Sequence, residues 1–93
     1  MLAAEPTDAF LLFALAKEYE TSGDSDMSLQ FYLKCVEYNP DYVGLYYHLG
    51  KHYEKIGDLD AAISTYKKGM DVATAANDRH AFSELEQAHW EID

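Results

Sequence analysis

Offset by 34 residues, the chain aligns with itself. Ala9–Tyr42 falls on Val43–Ala76, and ten of those 34 positions are identical: Leu11/Leu45, Leu15/Leu49, Lys17/Lys51, Tyr19/Tyr53, Glu20/Glu54, Gly23/Gly57, Asp24/Asp58, Asp26/Asp60, Tyr32/Tyr66 and Lys34/Lys68. Leu29/Ile63, Val36/Met70 and Glu37/Asp71 are close in chemistry. Unrelated stretches of this composition would share about two or three positions, so the period constrains the fold more than any other feature of the chain.

Within each period the apolar spacing is that of a helix. Leu12, Leu15, Ala16 and Tyr19 recur at steps of three, one and three, and their counterparts are Tyr46, Leu49, Gly50 and Tyr53. Gly23-Asp24 and Gly57-Asp58 then break the pattern. Glycine ends a helix because it enters the left-handed region without a Cβ clash, and an aspartate after it can cap the next helix. A second stripe follows, Ser28, Phe31, Tyr32, Cys35 and Val36, matched by Ala62, Thr65, Tyr66, Gly69 and Met70. Pro40 turns Asn39 away from helix and closes the first period. Each unit is therefore expected to be a helix, a short turn and an antiparallel helix.

Small residues stand at matched places, Ala16/Gly50, Ser28/Ala62 and Cys35/Gly69, with tyrosines beside them. Helices approach to about 8–10 Å only where side chains at the crossing are small, and large neighbours then fill the gaps. The chain has 93 residues, 48 % of them hydrophobic, with eight tyrosines, four phenylalanines and one tryptophan to supply bulky anchors for one small domain spanning 1–93.

The period, turns and small positions resemble the tetratricopeptide repeat, a 34-residue helix–turn–helix unit. The second unit matches the family pattern at Tyr46, Leu49, Gly50, Tyr53, Ala62 and Tyr66, and departs with Gly69 at a small position and Thr74 where proline is usual. The first matches at Leu12, Leu15, Ala16, Tyr19, Ser28, Tyr32, Cys35 and Pro40. The resemblance implies an all-α fold in which repeat 1 (9–42), repeat 2 (43–76) and a capping helix (77–93) form five antiparallel helices in a right-handed α-superhelix. The cap would start at Asn77 or Asp78 and bury Ala81, Leu85, Ala88 and Ile92, leaving Arg79, Ser83, Glu84, Glu86, Gln87 and Glu91 in water. The Ala-rich stretch at 73–76 suggests that the helix before it runs on past the usual end. The first helix begins at a helix-ready Pro6-Thr7-Asp8.

Composition closes several functional classes. Seventeen acidic and seven basic residues give a net charge of −10, a poor match to a phosphate backbone, so nucleic acid is not an expected partner. The longest apolar run, Ala9–Ala16, is well short of the about 20 residues a membrane span needs. Glu5 and Asp8 occupy the region where a secretory leader would be basic, so a cytoplasmic protein is expected. Cys35 is the one cysteine, at a position that needs a small core side chain, so an inert thiol is expected. There is no Gly-rich phosphate loop and no nucleophile beside a base, and neither catalysis nor a cofactor is expected. His48 and His52 have chelating i,i+4 spacing but no evident third ligand, so no metal site is assigned.

The resemblance implies a concave groove lined by the first helix of each repeat, here Phe10, Phe13 and Lys17 with Tyr47, His48, Lys51 and Lys55. That groove would receive a peptide or helix of a partner protein. Two roles fit Lys17 and Lys51: orienting a partner's carboxylate, or forming exposed ion pairs with Glu20 and Glu54. The carboxylate-clamp subclass does not fit, because the groove face carries no asparagine and only Lys17, Lys51 and Lys55 as candidate cations. Helix one is apolar around its whole circumference from Phe10 to Leu15, which requires a cover: the next repeat, a partner segment, or a second copy of the chain in a homodimer. The alternative function is accordingly a self-associating domain, or part of a larger repeat scaffold.

Overall fold

The computed structural model describes residues 8–92. Pro6 and Thr7 of the expected helix start, and Asp93 at the end of the expected cap, lie outside the described residues. Among the described residues the regular structure is five α-helices and no strand: α1 (Ala9–Thr21), α2 (Ser25–Tyr38), α3 (Val43–Lys55), α4 (Leu59–Ala75) and α5 (Arg79–Ile92). The fold is all-α, a helical repeat. The chain forms two compact units, Met1–Tyr42 and Val43–Asp93, and the division falls at the step between the two periods. In the first, α2 packs on α1; in the second, α4 packs on both α3 and α5, and α5 also touches α3.

The turns follow from backbone sterics. Gly23 and Gly57 both sit at φ 88°, in the left-handed region. The backbone closes identically around each, with Gly23 N–H donating to Glu20 C=O and Gly57 N–H to Glu54 C=O, both at 3.1 Å. The aspartate that follows accepts a hydrogen bond from the N–H three residues on, Asp24 from Met27 and Asp58 from Ala61, both at 3.1 Å. Such a cap is worth about 1 kcal/mol.

A third copy of this turn joins α4 to α5. Asn77 adopts φ 59°, its N–H donates to Thr74 C=O at 3.1 Å, and Asp78 accepts from Ala81 N–H at 3.0 Å. Asparagine tolerates the left-handed region best after glycine, so Asn77-Asp78 does the work of Gly-Asp. The long α4, ending at Ala75, fits the absence of a proline at Thr74. Elsewhere, Asp8 caps α1 by accepting from Phe10 N–H at 2.8 Å and Leu11 N–H at 3.2 Å, and Asn39 leaves the helical region at φ −139° to end α2.

The core of each unit is built from the paired stripes. Leu12, Ala16, Ser28, Tyr32 and Cys35 are buried in the first, and Tyr46, Leu49, Gly50, Ala62, Tyr66 and Gly69 in the second. Leu45 and His52, which the spacing left off the α3 stripe, are buried as well. The small residues are sites of close approach. A Cβ on Gly50 would enter the Tyr66 ring, 2.6 Å from its Cδ1, and one on Gly69 would lie 2.6 Å from Tyr46 Cβ and 3.0 Å from a Leu85 methyl carbon. Serine replaces alanine at position 28 without leaving a buried polar orphan, because its hydroxyl donates to Ala16 C=O at 2.8 Å across the hairpin.

Two glycines of one helix should respond in opposite directions to the same change. Gly44→Ala, with nothing within 4 Å of the new Cβ, should raise stability by about 0.5 kcal/mol by removing a flexible residue from a helix. Gly50→Ala should lower it by about 1–3 kcal/mol by displacing Tyr66. Urea unfolding of the two variants checks this, and equal midpoints would show that Tyr66 does not hold the two helices at a fixed distance.

Candidate interaction surface

On α1, Phe10 is 77 % exposed, whereas Phe13 is half-buried, its ring meeting those of Tyr32 (centroids 6.2 Å apart) and Tyr42 (5.7 Å, edge on). Of the apolar stretch from Phe10 to Leu15, Leu12 is buried in the core and Phe13 packs on Tyr32 and Tyr42 of its own unit. Lys17 Nζ lies 3.5 Å from Glu20 Oε1, and that carboxylate also accepts from the Tyr32 hydroxyl at 2.8 Å.

On α3 the same three residue types make the same constellation. Lys51 Nζ lies 3.7 Å from Glu54 Oε2, and Glu54 accepts a short hydrogen bond from the Tyr66 hydroxyl. The second unit adds two partners to Lys51: the Tyr47 ring, 5.6 Å from Nζ to centroid, and Glu91 of α5, 3.8 Å away. Both lysines thus form an ion pair with the glutamate three residues on. Both lysine side chains keep about two-fifths of their surface in water, so each pair contributes at most about 1 kcal/mol. His48 is half-buried with its ring edge-on to Tyr47 at 5.7 Å, His52 is fully buried, and Lys55 is exposed in the last turn of α3.

The tyrosine–glutamate contacts were legible in principle, because lysine, glutamate and tyrosine are identical in both periods, but nothing in a stripe pattern says that hydroxyl and carboxylate meet twelve residues apart. Burial raises both Tyr32 and Tyr66 well above the ordinary phenol range, and donation to a charged carboxylate raises them further. These hydroxyls stay protonated as donors and hold Glu20 and Glu54 in place beneath the lysines. Cys35 is fully buried, donates to Ala9 C=O at 3.7 Å, and is raised by burial, the environment of a packing thiol.

An open cleft of about 180 Å³ lies within the second unit, lined by Tyr47 of α3 and by Glu84, Gln87, Ala88 and Glu91 of α5. The sequence placed Tyr47 at such a surface and Ala88 on the buried face of the cap, but assigned Glu84, Gln87 and Glu91 only to a wet outer face. Their approach to α3 depends on the Asn77 turn, which carries no glycine to announce it. Among the described residues no group of three or more potential metal ligands is gathered, and no helix is long and apolar enough to cross a membrane.

Family models described as tetratricopeptide repeat match residues 11–42 and 31–64. Among solved structures, a tetratricopeptide repeat domain protein from Salinibacter ruber is similar in both its crystal and its solution form. The crystal structure has TM-score 0.84 and 40 % identity, over 91 % of this chain and 94 % of that one. The solution structure has TM-score 0.91 and 39 % identity, over 97 % and 91 %. Protein BPP2914 from Bordetella parapertussis shares the fold at TM-score 0.81 and 24 % identity, over 91 % of this chain and 74 % of that one. No curated protein matches the chain.

The raised tyrosines set an alkaline limit on stability. The folded state holds their protons more tightly than the unfolded chain, whose tyrosines titrate near about pH 10, so stability is intact below that pH and falls as pH rises above it. Tyr32→Phe with Tyr66→Phe should lose about 1–3 kcal/mol per site at neutral pH and show a shallower alkaline decline. Urea midpoints at neutral and strongly alkaline pH test this, and parallel curves for variant and wild type would assign the alkaline loss to other groups.

Proposed function

The chain belongs to the tetratricopeptide-repeat family, and from that membership we propose that it is a non-catalytic protein-interaction module whose first-helix side chains receive a segment of another protein. Tetratricopeptide repeats generally mediate protein–protein interaction, and the repeat supplies the surface on which a partner would lie. In the first unit that surface is Phe10, Phe13 and Lys17 of α1; in the second it is Tyr47, His48, Lys51 and Lys55 of α3.

The observation that carries this proposal is the cleft beside Tyr47. An aromatic ring lining a concavity beside polar side chains is the arrangement that gives interface anchors their energy. Lys51 lies beside this cleft, against Glu54, Glu91 and the Tyr47 ring. Phe10 and Trp90, at 77 % and 67 % exposure, favour self-association as a second role, since large rings left in water mark contact surfaces.

A peptide selected for binding from a display library should perturb the amide resonances of Tyr47, Gln87 and Ala88, and Tyr47→Ala should weaken it by about tenfold. Perturbations confined to the outward residues of α2 and α4 would remove the docking role from this face. Sedimentation across the micromolar range decides the second role, because a monomer throughout excludes it.

A further inference from the structure

We propose that the partner segment received by the Tyr47 cleft is cationic, a stretch of polypeptide presenting lysine or arginine side chains to Tyr47, Glu84 and Glu91. This rests on the docking role proposed above and specifies its chemistry.

Two residues of the cleft lining, Tyr47 and Glu91, already contact an ammonium beside it. The Lys51 ammonium sits over the Tyr47 ring at 5.6 Å and against Glu91 at 3.8 Å and Glu54 at 3.7 Å. Aromatic face plus carboxylate is the combination that attracts an ammonium or a guanidinium, and an arriving side chain would find the same ring, with Glu84 and Glu91 on the cleft rim. Lys51, beside the cleft, is thus paired with Glu54 and Glu91, and the charged side chains of the lining itself are both acidic, Glu84 and Glu91. His80 reaches Glu84 at 3.6 Å but is 86 % exposed, so it offsets little. The last turn of α5, which carries Glu91, is also the negative end of its helix dipole.

A carboxylate-bearing partner would meet these groups as like charges. The surrounding charge points the same way: residues 77–93 sum to −4 (five acids, one base), within a chain of −10. Charge complementarity therefore favours a basic segment over an acidic or phosphorylated one.

The test uses the whole chain, isotopically labelled, and two synthetic peptides of equal length, one alternating lysine with leucine and the other glutamate with leucine. The lysine peptide should shift Tyr47, Gln87 and Ala88 in a saturable way. Its affinity should fall by about fivefold or more in the paired variant Glu84→Gln with Glu91→Gln, and also in Tyr47→Ala. It should weaken as salt is raised. Binding of the glutamate peptide to the same residues with equal or greater affinity would overturn the cationic assignment while leaving the docking role intact. Failure of both peptides to move the cleft would remove both. Lysine-peptide shifts spread evenly over other acidic surfaces, such as Asp24 and Asp26, and unchanged in the paired variant would reduce the effect to net charge and overturn the proposal.

Discussion

The structure depends on burying a tyrosine between two helices that would otherwise be too close to hold one. Gly50 lets the Tyr66 ring lie where a Cβ would stand, and Tyr66 is wholly removed from water. Burying the ring is favourable by about 1.5–3 kcal/mol, but only if its hydroxyl finds a partner, since an orphaned one would cancel much of that gain. Glu54 supplies the partner from the facing helix, and Glu20 does the same for Tyr32. Each glutamate then holds a lysine on the surface of its own helix, three residues back. Hydrogen bonding and surface charge are linked in this way in both units, and in the second the close packing of Tyr66 on Gly50 joins them.

What the sequence disclosed and what it withheld divide along this line. Helices, Gly-Asp turns, small positions and lysine–glutamate pairs depend on neighbours within four residues, and each could be derived from spacing alone. The Tyr32–Glu20 and Tyr66–Glu54 bonds join residues twelve apart on different helices, and only their recurrence at the 34-residue offset hinted at them. Leu45 repeats Leu11 but lay off the expected stripe of α3, and the burial of His52 had no periodic signal, since Glu18 stands at the matching place. The α5 side of the cleft was hidden for a different reason. Glu84, Gln87 and Glu91 have the composition of a solvated face, and only the position of α5 against α3 makes that face part of a concavity.

The same placement changes how the lysines are understood. Viewed as isolated cations on repeated helices, Lys17 and Lys51 invite an anionic ligand. Viewed with Glu20, Glu54 and Glu91 around them, they are internal counter-charges that keep acidic side chains ordered on an acidic protein. Recognition would then fall to the aromatic surfaces and to the carboxylates that border them.

The three matching turns at Gly23, Gly57 and Asn77 bear on how the chain reaches this structure. Each closes through backbone bonds and an aspartate cap that span only a few residues, and hydrogen bonds such as Ser28 to Ala16 C=O and Tyr32 to Glu20 cross a hairpin between residues twelve apart. Such loops are short and entropically cheap to close, so any one hairpin can start folding without waiting for the others. The search for the native state becomes a local one, and speed of assembly is set at the corners of the chain instead of in its core.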